Sequence, residues 1–367
     1  MLSAVLIAVG VFCALTVALA ALLVIAERFL ADYGECAIKI NDDREIEVEG
    51  GRSLMASLRE HEIFLPSACG GRGSCGLCKC RVLAGAGPLL PTETPFLEQA
   101  EIDNDVRITC QIKVRGDMAV RIPEEILALR EYRCRVDALD RLTHDVMYLR
   151  IALADPAEMP FKAGQYVQLV APPYGSVSEP TGRAYSIASP PSVTDSVELL
   201  IRLVPGGIVT TWVFEVLQKD DEVTLTGPFG EFLLQDTDAP CCFVCGATGL
   251  APIRAIIYDM IERGIERPSQ LYFGVLARRD LFYHDELTRL ADEHDWLEYI
   301  PALSQPAEGD AWDGESGLIT DVLGRHLTNG ADAEGYLCGN PRMIDACIKV
   351  MNDKGITEDR IYYDKFA

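Results

Sequence analysis

The 367-residue sequence predicts a multi-domain chain of mixed α+β and α/β class. Its expected parts are an N-terminal transmembrane helix, a small sheet crossed by one helix, an antiparallel β-barrel, and a doubly wound parallel sheet. Three observations predict this order. Residues 1–26 contain no charged side chain. A glycine-rich loop holding closely spaced cysteines interrupts the region that follows. Further on, short alternating runs give way near Asp236 to strands that alternate with helices. The boundaries expected from these changes are 1–30, 31–128, 129–233 and 234–367.

The first part rests on length. A helix over Met1–Ala26 crosses ~30 Å of hydrocarbon at about 1.5 Å per residue. A cleaved signal peptide would carry an N-terminal Lys or Arg and a shorter apolar core, and neither is present. Arg28 and Lys39 follow the span and nothing basic precedes it, so the body of the chain is expected in the cytoplasm. Gly10, Ala14 and Ala18 share one helical stripe, which suits either a closely packed partner helix or lipid.

In the second part, Ile38 and Ile40, then Ile46 and Val48, alternate around Asn41-Asp42-Asp43 as a hairpin would. Ser53 can cap a helix over 54–61. The loop ACGGRGSCGLCKCR follows, then KCRVLAG as a strand, a polar connection over 88–100, and a strand over 107–114 carrying Cys110. Cys69, Cys75 and Cys78 form a C-x5-C-x2-C run, one residue longer than the plant-type spacing, and Cys110 is a distant fourth. Four thiolates, three in one loop, suit a [2Fe–2S] cluster. Gly70, Gly71, Gly73 and Gly76 let that loop wrap closely around sulfides. Zinc would favour two separated C-x2-C knuckles, and disulfides do not suit a redox loop in a long chain. With this loop at its edge, the small sheet has the β-grasp arrangement of ferredoxins.

Six β-branched or alternating runs form the third part: 132–139, 146–152, 165–171, 183–188, 197–204 and 222–226. One helix candidate, 208–217, follows Gly206-Gly207. In Arg183-Ala184-Tyr185-Ser186, alternation puts Arg183 and Tyr185 on one face. Arg183 offers a fork to a diphosphate, Tyr185 a flat face to a tricyclic ring, and Ser186 a hydroxyl to a flavin nitrogen. Gly206 and Gly207 precede a helix N-terminus able to hold phosphate, with Thr210 and Thr211 as hydroxyl donors. Gly227-Pro228-Phe229-Gly230 is where the chain is expected to leave the barrel.

The fourth part reads as strands at 241–245, 271–276, 297–303 and 336–338, with helices at 252–263, 285–293, 318–326 and 341–354. Gly246-Ala247-Thr248-Gly249-Leu250-Ala251-Pro252 joins the first strand to its helix, with Pro252 expected at the first helical position. This turn departs from G-x-G-x-x-G but still allows close backbone approach to a pyrophosphate. Gly274, Arg278 and Cys338-Gly339-Asn340-Pro341 end other strands at the same sheet edge.

Composition narrows the function. A net charge of −23 excludes nucleic acid and makes anionic lipid surfaces poor partners for the soluble part. Of thirteen cysteines, Cys241, Cys242 and Cys245 read as buried thiols on a core strand, and Cys80 as a spare beside the loop. The five histidines show no metal-binding spacing.

RAYS, GG before a helix, GPFG, GATGLAPIRA and CGNP, in that order, resemble the ferredoxin–NADP reductase superfamily. The cluster domain in front resembles that of oxygenase reductases. The N-terminal span, the cysteine spacing, LPTE at 90–93, IPEEI at 122–126 and the final DKFA resemble the F subunits of Na+-translocating NADH:quinone oxidoreductases. The segment YGSVSEPTG is shorter than in those subunits.

The resemblance implies that Cys69, Cys75, Cys78 and Cys110 hold the cluster. It implies FAD on Arg183, Tyr185, Ser186, Gly206, Gly207, Thr210 and Thr211. NADH would lie on Gly246, Thr248, Gly249, Pro252 and Gly339, with Cys338 positioning the nicotinamide. Phe366 would stack on the flavin face opposite Tyr185, or else pack the C-terminus down. The implied activity is oxidation of NADH, with a hydride passed to FAD and single electrons passed to the cluster. They would go on to a membrane respiratory partner, a quinone reductase with or without Na+ translocation. The alternative is a membrane-tethered reductase feeding an oxygenase or another acceptor. The expected location is the inner (cytoplasmic) membrane, single-pass, with the soluble domains in the cytoplasm beside membrane subunits of a respiratory complex.

Overall fold

The computed structural model describes residues 9–22 and 33–366, apart from 42, 128, 308, 310 and 311. Residues 9–22 form helix α1 with outward Val9, Phe12, Leu15, Val17 and Leu22. The rest of the 1–26 run lies outside the described residues. Among the described residues no helix is long and apolar enough to cross a membrane. The transmembrane expectation over 1–26 therefore finds no support among the described residues, and twelve of those positions lie outside them.

The chain divides into two compact units, one of residues up to 65 with 71–128, the other of 129–367 with Pro66–Gly70. In the first, strands β1 (Glu35–Ile40) and β2 (Arg44–Glu49) pair antiparallel with Ile38 opposite Ile46. Alternation buries Ile38, Ile40, Ile46 and Val48 and leaves Glu45, Glu47 and Glu49 outside. Helix α2 (Leu54–Glu60) starts as its cap predicts, with Ser53 Oγ accepting from the Ala56 amide at 3.2 Å. Strand β3 (Lys79–Ala84), helix α3 (Gln99–Asp103), β4 (Val106–Ile108), β5 (Met118–Arg121) and helix α4 (Glu124–Leu127) complete the unit. The sheet order is β2-β1-β5-β3-β4.

Here the structure corrects two expectations. The strand expected over 107–114 ends at Ile108, so Cys110 lies in a turn, and β5 was not anticipated. Ile112 and Val114 are buried as a strand pattern suggests. Their carbonyls, however, accept from Leu54 and Gly51, at the start of α2, rather than from a neighbouring strand.

The second unit begins with six antiparallel strands: β6 (Arg130–Arg141), β7 (Val146–Asp155), β8 (Tyr166–Ala171), β9 (Thr181–Ser186), β10 (Ser196–Arg202) and β11 (Glu222–Phe229). Their order is β10-β7-β6-β11-β8-β9, and an antiparallel bridge between Ile187 and Leu199 joins the two ends. Helix α5 (Ile208–Glu215) buries Trp212 and Val213 against this core.

A parallel sheet follows: β12 (Cys241–Gly246), β13 (Ser269–Val275), β14 (Leu297–Leu303), β15 (Glu315–Ser316), β16 (Glu334–Gly339) and β17 (Ile361–Lys365). Helices α6 (Leu250–Arg263), α7 (His284–Glu293), α8 (Ile319–His326) and α9 (Pro341–Asp353) cover it. The order β15-β14-β13-β12-β16-β17 reverses between β12 and β16, which makes that gap the switch point where such sheets bind nucleotides. Cys241, Cys242 and Cys245 are buried within β12. Barrel residues Val146, Ala163, Ala188 and Leu200 share one apolar core with Leu250, Ile253 and Ile257 of α6.

Candidate functional site

In the cysteine loop, Gly70, Gly71, Gly73 and Gly76 all take positive φ, between 67° and 85°. A side chain would be strained at each, so the loop can curl only with glycine there. Cys69 and Cys78 are buried, while Cys75 and Cys110 are partly exposed. Cys69 belongs to the Pro66–Gly70 segment, and the other three to the first unit. The carbonyl of Cys78 accepts from both the amide and the hydroxyl of Thr109 at 2.9 Å, which fixes the backbone next to Cys110. Three thiols on a loop of this shape, with Cys110 in the turn after β4 as a fourth, fit a [2Fe–2S] cluster. Cys80 faces the core instead, and burial, with Cys78 beside it, pushes its thiol up to about 12.

Sequence reasoning took 88–100 for a plain connection and missed Glu93. Its side chain is fully buried and grips Arg107, Nη2 to Oε2 at 2.5 Å and Nε to Oε1 at 2.9 Å. The amides of Ile108 and Leu90 donate to the same carboxylate at 3.0 Å. Burial alone would raise this carboxyl, but the Arg107 fork and the two amides hold it below its usual value. The pair ties the LPTE segment to the strand that leads into Cys110.

On β9, Arg183, Tyr185 and Ser186 lie in the expected alternation, and Ser186 is buried opposite Tyr166. The Tyr185 hydroxyl is enclosed and has no hydrogen-bond partner among the described residues. Such an orphan is costly unless a bound group satisfies it. That fits a flavin cofactor with its own polar chain. Gly206 takes φ 72° and Gly207 caps α5. Thr210 is occupied within this turn, its hydroxyl accepting from the Val204 amide at 3.2 Å and lying 3.3 Å from the carbonyls of Val204 and Gly207. Thr211 is half-buried.

At the switch point, Gly249 packs so closely that a Cβ there would lie 2.2 Å from the Cys338 carbonyl oxygen. Gly246 and Gly339 approach likewise, a Cβ on Gly339 meeting the Gly246 carbonyl oxygen at 3.3 Å. The Phe366 amide donates to the Gly339 carbonyl at 2.9 Å, and its half-buried ring packs on the shared core. Ala247–Gly249 form a short 3-10 turn that packs against β10 of the barrel. Thr248 is buried in it. Helix α6 therefore begins at Leu250, and Pro252 is its third residue rather than its first, because Gly249 already has helical angles. By contrast, Asn340 and Pro341 start α9 as their types suggest, with Asn340 Oδ1 accepting from Arg342 at 2.9 Å. Burial raises the Cys338 thiol well above its usual value, and Asp364 and Cys245 add to it, so the site holds a neutral thiol. Asp364 sits opposite Cys338 in register, and burial pushes its carboxyl up to about 6. The motif DKFA contained Asp364, but nothing local marked it as half-buried.

Comparison with known proteins agrees with this division. A 2Fe-2S iron-sulfur cluster binding domain matches residues 38–115, an oxidoreductase FAD-binding domain residues 133–233, and an oxidoreductase NAD-binding domain residues 243–349. Among solved structures, the chain resembles an Amycolatopsis cytochrome P450 reductase, GcoB, at 30% identity and TM-score 0.72, over 90% of this chain and 98% of that one. It also resembles the ferredoxin reductase of a carbazole 1,9a-dioxygenase at 25% identity and TM-score 0.69, over 91% and 98%. The F subunit of the Na(+)-translocating NADH-quinone reductase of Neisseria gonorrhoeae is 34% identical over 97% of this chain and 98% of its own length. That of Actinobacillus succinogenes is 34% identical over 98% of both. With both chains matched almost from end to end, this protein belongs to the family of Na(+)-translocating NADH-quinone reductase F subunits.

Proposed function

We propose that this chain takes electrons from NADH and delivers them, through FAD and a [2Fe–2S] cluster, to a membrane quinone reductase. The single observation that supports it most is the seat of the Ala247–Gly249 turn. That turn lies at the switch point of the parallel sheet and against β10 of the barrel, so a nucleotide held there is next to the barrel whose β9 carries the flavin residues. When bound, FAD accepts a hydride and releases its electrons one at a time, and the cluster accepts them singly. The protein's part is to bind, orient and exclude water.

Arg183 holds the flavin diphosphate, Tyr185 and Ser186 hold the ring and its polar chain, and the Gly206-Gly207 turn with Thr211 admits phosphate. Thr210 supports that turn from within. Gly246, Thr248, Gly249, Pro252 and Gly339 form the nucleotide cradle. Cys338, neutral through burial, positions the nicotinamide by its bulk. Phe366 covers the flavin until nicotinamide enters. Cys69, Cys75, Cys78 and Cys110 hold the cluster. No side chain acts as a general base, because a hydride carries its own electron pair.

The relatives are named as subunits of a Na(+)-translocating quinone reductase, and we infer the same membrane partners for this chain. Its anchor is the charge-free run 1–26, and its domains face the cytoplasm. A chain beginning at Ala31 should be released into solution with its NADH–ferricyanide activity intact, and lose partner-linked turnover. Release of the full chain from membranes by salt alone would refute the anchor.

A second reading is a membrane-tethered reductase for an oxygenase or another acceptor. The likeness to the P450 reductase favours it. So does an alignment of 396 positions against 367 residues, because the Neisseria subunit carries residues this chain lacks. Pull-down in mild detergent separates the two, by recovering either membrane redox subunits or an oxygenase.

A further inference from the structure

Arg254 was not singled out by its sequence, yet it joins three elements of the second unit. It lies on α6, just past the nucleotide turn, and is only 11% exposed. Its Nη1 donates to the Ala188 carbonyl at 2.8 Å and to Glu198 Oε2 at 3.0 Å, both in the barrel. Its Nε donates to Glu286 Oε1 of α7 at 2.7 Å. The guanidinium lies over the rings of Tyr258 and Tyr283, 4.8 and 4.9 Å from their centroids. Tyr148 completes the cluster by donating to Glu198 at 2.9 Å. Burial works against the charge on Arg254, but Glu286 and Glu198 more than offset it.

Two details make this more than a buried ion pair. Tyr283 caps α7 with φ 57°, a left-handed conformation rare for an aromatic residue and kept only where the surroundings enforce it. Tyr283 and Glu286 also line a cavity of about 380 Å³, together with Arg278, Leu281, His284 and Asp285. Arg254 thus connects that cavity wall and the helix after the nucleotide turn to Ala188, two residues beyond Ser186.

We propose that Arg254 is a positioning residue for hydride transfer, fixing the nucleotide turn against the flavin strand through Ala188, Glu198 and Glu286. This rests on the reading of the chain as an NADH-oxidising flavoprotein. The hydride leaves C4 of the nicotinamide with its bonding pair and is taken up at flavin N5, so NADH is oxidised as FAD is reduced. The reacting atoms must come within ~3–3.5 Å, and a misplacement of about 1 Å costs roughly 100-fold. A lysine keeps the charge but is a point donor without a planar fork. It cannot serve Ala188, Glu198 and Glu286 together while lying over two rings.

The test uses the full-length holoprotein and its Arg254→Lys and Glu198→Gln variants. Rapid mixing with NADH gives the limiting rate of flavin reduction. Equilibrium titration gives the affinity for NAD+, and absorbance of the reduced protein with NAD+ reports nicotinamide–flavin stacking. In Arg254→Lys the limiting rate should fall about 10- to 100-fold, with a weakened stacking band, normal flavin content and NAD+ affinity within about threefold. A parental rate, or a rate lost only in step with flavin content and NAD+ affinity, overturns the proposal. If Arg254→Lys does not fold, Glu198→Gln decides: a slower rate with unchanged NAD+ affinity supports the proposal, and a parental rate overturns it. A parent protein whose flavin is not reduced by NADH refutes instead the function on which this rests.

Discussion

Tyr185 is the residue whose chemistry is most sharply posed. Its enclosed hydroxyl lacks a partner within the described protein, a hydrogen bond that the proposed flavin would supply. Tyr185→Phe should therefore leave the flavin-free protein as stable as before and weaken FAD binding about tenfold, read by flavin fluorescence. Asp364 gives a pH signature. Its carboxyl is raised to about 6 by burial, so the fold favours the protonated form. The stability this contributes is complete below about pH 4 and lost as pH rises through about 6. Asp364→Asn should be more stable than the parent at pH 7 to 8, by about 1–3 kcal/mol, and the gap should close toward pH 4 in melting curves. A gap independent of pH would contradict that. Phe366→Ala should change NADH affinity and the flavin absorption band with little effect on melting; the reverse pattern would mean the ring only packs the C-terminus.

At the scale of elements, the six barrel strands and the parallel strands β12, β13, β14 and β16 were legible because each buries a local pattern of alternating or continuous apolar residues. Strand β5 was not, being too short to carry a period, and of the strand expected over 107–114 only Arg107 and Ile108 fall in β4. Ile112 and Val114 imitated one by alternating while bonded to the start of α2. The cysteine loop was legible because metal chemistry dictates spacing. Glu93 and Arg254 were not, because their partners lie far away in sequence and a single charge on an apolar stretch resembles a solvated face. Glu93 tests the point directly. Breaking a buried pair leaves one charge uncompensated, so Glu93→Gln should cost the cluster domain about 3–5 kcal/mol. The loss should show as a lower melting transition of the cluster domain, with flavin release unchanged. An unaltered transition would mean that the pair is dispensable.

For the whole molecule, the division into two compact units separates three of the four cluster cysteines from every residue assigned to flavin or nucleotide. The order of functions was readable from motif order alone, while the shared core of barrel and parallel sheet was not, since it depends on side chains from both packing together. The central claim is that one chain carries electrons from NADH through flavin to the cluster. The measurement that tests it most directly is an anaerobic NADH titration of the purified holoprotein, followed by flavin absorbance and electron paramagnetic resonance, beside the Cys75→Ala variant. The parent should show flavin bleaching and a reduced [2Fe–2S] signal, and Cys75→Ala should bleach normally with no cluster signal. A flavin that stays oxidised in the parent, or a variant that loses its FAD along with the cluster, would contradict it.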